Sequence, residues 1–198
     1  MKILNLYTGI GGNRKLWGDE HEITAVEYKE EIADIYRDFF PNDTVIVADA
    51  HQYLLDHYKE FDFIWSSPPC PSHSKIRKAT EHQNKPIFPN MKLYEEILFL
   101  QGYFKGKWCV ENVIAWYEPL IKPNEIANHY FWTNFHVRDF STDGREHDGG
   151  VEALENRKGF TLKNYRGIDK VLALRNCVEP ELGKHILEQA MKENPTLF

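Results

Sequence analysis

The chain has 198 residues, with 24 Lys and Arg against 30 Asp and Glu, a formal charge of −6. That length fits one domain, or one domain with a small appendage. With 42% hydrophobic and 27% charged residues the composition excludes a disordered chain, and no apolar run approaches the roughly 18 residues of a membrane span. Nothing in the first residues reads as a secretion signal. The three cysteines, Cys70, Cys109 and Cys177, are too few and too scattered for a disulfide framework or a zinc cluster, so a reducing cytoplasm is expected.

In chain order, Lys2–Tyr7 reads as a buried strand, broken by Gly9-Ile10-Gly11-Gly12, with a helical stretch from about Asn13. Glu22–Glu27 is a second strand and Glu30–Phe39 a helix, with Ile32, Ile35, Tyr36 and Phe39 on one side. Thr44–Ala48 is a third strand, His51–His57 a short helix, and Phe61–Trp65 a fourth strand ended by Pro68-Pro69. Leu93–Tyr103 is an amphipathic helix and Trp108–Val110 a fifth strand. His129–Val137 is aromatic and strand-like, residues 138–170 read as loops with short strands, and Pro180–Met191 is a final helix. Strands alternating with helices predict a Rossmann-like α/β fold: a mostly parallel sheet, helices on both faces, and ligands beyond the carboxyl ends of the strands. The unusual loops of the first half, at 7–12, 27–28, 49–51, 66–74 and 111–113, all fall at such ends.

Two segments are basic within this acidic chain. Residues 71–92 carry Lys75, Arg77, Lys78, Lys85 and Lys92 against Glu81 alone. Residues 155–175 carry Arg157, Lys158, Lys163, Arg166, Lys170 and Arg175 against Glu155 and Asp169. Both fit ordinary solvated loops, and both fit one face that meets a polyanion.

Tyr7-Thr8-Gly9-Ile10-Gly11-Gly12 lets the backbone turn sharply and approach a ligand, but its G-x-G-G spacing is not the dinucleotide fingerprint and fits a structural turn as well. Glu27, followed by Tyr28, places a carboxylate where a ribose is held in such sheets, or is an exposed strand-end side chain. Asp49, followed by Ala50, accepts from an adenine amine or caps the helix at His51. The sequence Ser66-Ser67-Pro68-Pro69-Cys70-Pro71-Ser72-His73-Ser74 holds three prolines in nine residues. Proline fixes φ, so the loop holds Cys70 in a defined place, which suits a nucleophile. Lys75, Arg77 or His73 are placed to help populate its thiolate. Glu111-Asn112-Val113 ends the fifth strand, within reach of the same pocket.

Taken in order, Tyr7-x-Gly9-x-Gly11-Gly12, Glu27, Asp49, Pro68-Pro69-Cys70 and Glu111-Asn112-Val113 resemble the DNA cytosine-5 methyltransferases. The resemblance covers about residues 1–135 and 174–191, where Asn176-Cys177-Val178-Glu179-Pro180 resembles the family's last motif. It implies a catalytic domain over 1–135 and 173–198 with a short target-recognition insertion at 136–172. It also implies S-adenosylmethionine as cofactor, with S-adenosylhomocysteine as product. The cofactor is expected at Tyr7, Thr8, Gly9, Ile10, Gly11, Gly12, Glu27, Tyr28, Asp49, Ala50, Pro68, Asn176 and Val178. The partner it implies is double-stranded DNA with a flipped cytosine, contacted by Ser72, His73, Ser74, Lys75, Arg77 and Lys78, in the cytoplasm of a prokaryotic or phage-infected cell.

In that family a cysteine, here Cys70, adds to C6, a glutamate, here Glu111, holds the base, and Asn112 shapes the loop. The chain departs from the pattern at Pro71 and His73, where the family usually has Gln and Phe. No clear Arg-x-Arg follows Glu111; His129 or Arg138 is the candidate substitute. The departures keep open a non-catalytic relative that binds DNA or a partner, and an enzyme acting on RNA or with a different donor.

Overall fold

In the computed structural model, which describes residues 1–83, 85–141 and 150–192, the apolar strands Lys2–Leu6 (β1) and Phe63–Ser66 (β4) lie side by side in a seven-stranded sheet. The other strands are Glu22–Glu27 (β2), Thr44–Val47 (β3), Lys107–Val113 (β5), Asn124–Ile126 (β6) and His129–Thr133 (β7), in the order β3-β2-β1-β4-β5-β7-β6. Pairs among β1 to β5 are parallel, whereas β7 runs antiparallel to β5 and β6. A two-residue turn closes the β6–β7 hairpin, with Ala127 at φ 48° and Asn128 at φ 62°, the positive angles that match strand twist. The chain fills β1, β2 and β3 outward and then returns to β4 on the other side of β1. The crevice between β1 and β4 is therefore the switch point of a Rossmann-like sheet.

Alternation along the strands divides the core in two. Ile3, Phe63, Trp65, Cys109 and Phe131 pack on one face with Leu182 and Ile186 of helix Pro180–Met191 (α7). Leu4, Leu6, Ile64 and Val110 pack on the other. There they meet Leu54 of Ala50–His57 (α2) and Leu93, Ile97 and Leu100 of Lys92–Tyr103 (α4). Helix Glu30–Phe39 (α1) gives Ile35 to a third cluster with Ile10, Leu154, Phe160 and Leu174.

Two expectations are corrected. The stretch from Asn13 forms only a short 3-10 segment, Asn13–Leu16, which ends before Gly18 at φ 79°. Residues 138–170 hold no strand among those described; Gly150 and Gly159 instead bracket a helix, Val151–Lys158, which we number α5 after Lys75–Ala79 (α3), with Lys170–Arg175 (α6) beyond it. The glycines that read as breakers are end signals, Gly159 closing α5 at φ 66°. Of the proposed insertion, residues 142–149 lie outside the described residues, as do 193–198 of the catalytic boundary. Among the described residues no helix is long and apolar enough to cross a membrane.

The C-terminal segment is clamped to the first loop. Lys158, buried, donates to the Cys177 carbonyl at 2.6 Å and to Glu179 at 2.7 Å. A Cβ on Gly12 would lie 2.6 Å from the Val178 carbonyl oxygen, and one on Gly183 would lie 2.4 Å from the Asn13 carbonyl oxygen. Both glycines are thus required by close backbone contact between the segment after β1 and the C-terminal region. Gly183→Ala should cost about 1–3 kcal/mol through overpacking, a drop in Tm of roughly 3–10 °C. Gly102→Ala, where a Cβ on α4 meets nothing within 4 Å, should leave Tm equal or higher. Calorimetric melting of the two variants checks this.

Candidate active site

Prolines leave the loop after β4 short of donors, because Pro68, Pro69 and Pro71 carry no N–H. Neighbouring elements supply them. Asn112, buried at the end of β5, donates its amide to the Pro68 carbonyl at 2.9 Å and accepts from the Val113 N–H at 3.0 Å. Trp116 donates its indole N–H to the Ser72 carbonyl at 3.1 Å and its backbone N–H to the His73 carbonyl at 3.0 Å. Tyr117 and His73 Nδ1 are hydrogen-bonded at 2.6 Å, and Ser74 bridges to Ala115. Within the loop the Cys70 carbonyl accepts from His73 N–H at 2.9 Å and Ser74 N–H at 3.1 Å, which closes a tight turn around the cysteine.

Cys70 is half-buried with a free thiol, whereas Cys109 and Cys177 are buried. Burial pushes the Cys70 thiol up, and the charge of Glu111 pushes it further. The Asn112–Pro68 bond brings the end of β5 against the Cys70 loop, and the charge of Glu111 is felt at the sulfur. Glu111 is 7% exposed on β5, and His129 Nε2 lies 3.9 Å from its Oε1. His129 Nδ1 faces the Ala127 carbonyl at 2.9 Å, which places the ring proton there and turns Nε2 towards Glu111. Of the two candidate substitutes for the missing arginines, His129 borders the pocket. Arg138 is exposed elsewhere, its carbonyl accepting from His185.

The expected cationic help for Cys70 is not found. Burial holds His73 below the usual histidine range, and so neutral. Lys75 is exposed, Arg77 donates to the Lys85 carbonyl at 2.6 Å, and Lys78 pairs with Glu81. Ser72 and His73 are buried, Ser72 accepting from Asn90 N–H at 2.9 Å, so both side chains serve the loop and neither faces outward for DNA. Ser74 caps α3 by accepting from Ile76 N–H at 3.3 Å. Of the second basic segment, Lys158 is buried and Arg157 is bound with it at Glu179, whereas Lys163, Arg166 and Arg175 are exposed.

The glycine loop, Glu27 and Asp49 converge at the other end of the crevice. Glu27 Oε2 accepts from Gly9 N–H at 3.0 Å, and Oε1 accepts from Tyr28 N–H at 2.9 Å and Lys29 N–H at 3.1 Å. A carboxylate offers about four acceptor sites, so Oε2 keeps one for a hydroxyl. Asp49 does cap α2, its Oδ1 accepting from His51 and Gln52 N–H at 2.9 and 3.2 Å. Those backbone bonds hold its carboxyl below the usual range, while Oδ2 stays open beside Lys92 Nζ at 3.7 Å. Gly9 sits at φ 53° with nothing within 4 Å of a built Cβ, and Tyr28 is 75% exposed. The acceptors left on Glu27 Oε2 and Asp49 Oδ2 suit a hydroxyl and an amine of an adenosine.

Ile10, Ala50 and Val178 are buried in the three clusters, Gly11 lies against Phe40, and Thr8 N–H donates to the Val26 carbonyl at 3.2 Å. Asn176 is exposed at the end of α6. One member was missed. Glu96, 0% exposed on α4, accepts from the Tyr7 hydroxyl at 2.6 Å and the Ser66 hydroxyl at 2.5 Å. The signal was a glutamate between Leu93 and Leu100 on the apolar face of a helix.

The C-5 cytosine-specific DNA methylase family model matches residues 1–97. No curated protein sequence matches the chain. Among solved structures, a triple mutant of Spodoptera frugiperda DNMT2 is similar at 25% identity and a TM-score of 0.43, over 57% of this chain and 35% of that one. A hypothetical protein of Thermus thermophilus is 14% identical at a TM-score of 0.45, over 67% and 73%. The SAM-dependent methyltransferase from Agrobacterium tumefaciens is 14% identical at a TM-score of 0.42, over 59% and 40%. This chain spans about a third of the length of the Spodoptera chain. At such scores the family match carries the assignment, and S-adenosylmethionine is the cofactor that goes with it. Glu111 and Asn112 lie beyond the matched span and stand on the geometry above. Residues 1–97, with the glycine loop, Glu27, Asp49 and the Pro-Pro-Cys loop, match the C-5 cytosine-specific DNA methylase family model.

Proposed function

We propose that the chain methylates carbon 5 of cytosine in DNA through a covalent adduct of Cys70. The observation that carries this reading is that Cys70, on a loop fixed from outside, shares its site with Glu111. C5 of cytosine is a poor nucleophile. The Cys70 thiol gives its proton to solvent water and the thiolate adds to C6, which turns C5 into an enamine carbon. With a proton taken up from solvent as the base enters, Glu111 donates to N3 and accepts from the exocyclic amine, which meets the negative charge that builds on the ring as sulfur adds. Bound S-adenosylmethionine, held by Glu27, Asp49 and the Gly9 backbone, supplies an electrophilic methyl group. Transfer of the C5 proton to a solvent water then lets the Cys70–C6 bond break by β-elimination, which returns the thiolate.

A flipped cytosine reaches Cys70 at a cost of a few kcal/mol, offset by phosphate contacts. Lys75 and the exposed cations Lys163 and Arg166 are the proposed contacts. The division into a catalytic domain and a recognition insertion at 136–172 belongs to this reading.

Transfer of tritium from labelled S-adenosylmethionine to duplex DNA tests it, with single-stranded DNA and RNA as parallel substrates. Duplex DNA should be the best acceptor, and Cys70→Ala should lower incorporation by at least about 10³-fold, as expected for loss of a covalent nucleophile. Unchanged incorporation by Cys70→Ala, or labelling of RNA alone, overturns the assignment.

The ionisation of Cys70 gives a second check. Its raised value means that alkylation by iodoacetamide should reach half its maximal rate above the ordinary thiol value near ~8.5. Glu111→Gln removes one of the two causes, so the midpoint should fall. It should not reach the free-thiol value, since burial remains. A midpoint unmoved by Glu111→Gln contradicts the shared site.

A further inference from the structure

Glu96 stands where the cofactor half and the nucleophile half of the crevice meet. Its side chain is fully buried. Oε1 accepts from the Tyr7 hydroxyl at 2.6 Å and from His51 Nδ1 at 2.9 Å, and Oε2 accepts from the Ser66 hydroxyl at 2.5 Å. Tyr7 opens the glycine loop after β1 and holds φ 57°, an angle that a residue with a side chain adopts only when its surroundings enforce it. His51 directly follows Asp49-Ala50. Ser66 is the last residue of β4, and Ser67-Pro68-Pro69-Cys70 begins there. One carboxylate on α4 thus bonds the ends of β1 and β4 and the start of α2.

A buried charge is tolerated only while its oxygens stay hydrogen-bonded, and each bond polarises the others. Shifting one donor changes what the remaining donors meet. We propose that Glu96 is a positioning residue that couples the cofactor loop to the nucleophile loop: the state of Tyr7 is felt at Cys70 through Ser66, and the reverse. The proposal rests on the function given above for its cofactor half only. His51 supports the negative charge. Glu96 and Glu95 hold its ring above the usual histidine range against burial and Lys92 of α4, and Asp49, the N-cap of α2, lies two residues away.

The test uses the full chain and two readouts. Alkylation of Cys70 by iodoacetamide needs no cofactor, and the other two cysteines are buried. Affinity for S-adenosylhomocysteine is read by calorimetry. Tyr7→Phe should change the alkylation rate of Cys70, and Ser66→Ala should change the affinity for S-adenosylhomocysteine. Each change should be roughly threefold to tenfold, the range of coupling within one hydrogen-bond network. Both should vanish in a Glu96→Gln background, which a merely structural role does not predict. If Glu96→Gln does not fold, non-additivity in the Tyr7→Phe, Ser66→Ala double variant decides in its place. Remote effects that are absent, or that persist undiminished without the carboxylate, overturn the coupling. If the unaltered chain fails to bind S-adenosylhomocysteine, the proposed function falls, and the alkylation arm alone decides the coupling.

Discussion

Parallel pairing of β4 with β5 is the constraint from which the site follows. Trp65 lies beside Cys109 and Ser66 beside Val110, so the chain leaving β4 turns directly next to Glu111 and Asn112. A loop with three prolines closes only one turn by its own backbone, since proline has no backbone donor. Asn112 and Trp116 close it from the β5 side. Loop stiffness is thus divided: proline fixes the dihedral angles, and the neighbouring strand fixes the position. Removal of the Asn112 amide would leave a buried proline carbonyl without its donor, a cost of about 1–3 kcal/mol concentrated at the loop that carries the sulfur.

The electrostatics of the pocket run against an early thiolate. Burial and Glu111 both favour the neutral thiol of Cys70, and no cation among the described residues offsets them. A nucleophile that stays protonated until a base arrives is guarded against oxidants, which attack thiolates first. In the proposed reaction Glu111 is engaged by the cytosine edge as Cys70 adds, so the group that suppresses the thiolate in the empty site is the one the base occupies.

Much of this was legible in the sequence because the signals were local. Alternation of strand and helix pointed to the sheet, Pro68-Pro69-Cys70 marked a rigid loop, and carboxylates followed strands two and three. Three things were not legible, each for a physical reason. Glycines at 150 and 159 read as loop, whereas they terminate a helix whose Leu154 packs beside Ile10. Lys158 read as a surface cation, whereas Glu179, 21 residues later, neutralises it in the interior. Glu96 drew no attention in the sequence, because its partners Tyr7, His51 and Ser66 become neighbours only once the sheet is assembled. Long-range pairing of polar groups is what a one-dimensional pattern conceals.

The most direct measurement is intact-protein mass spectrometry after incubation with S-adenosylmethionine and a duplex carrying 5-fluorocytosine. Fluorine at C5 cannot leave as a proton does, so elimination is blocked and an adduct persists. The account predicts a protein–DNA species whose mass includes the oligonucleotide and one methyl group, mapped by proteolysis to Cys70. Turnover-competent protein that forms no such species, or one linked through another residue, would contradict it.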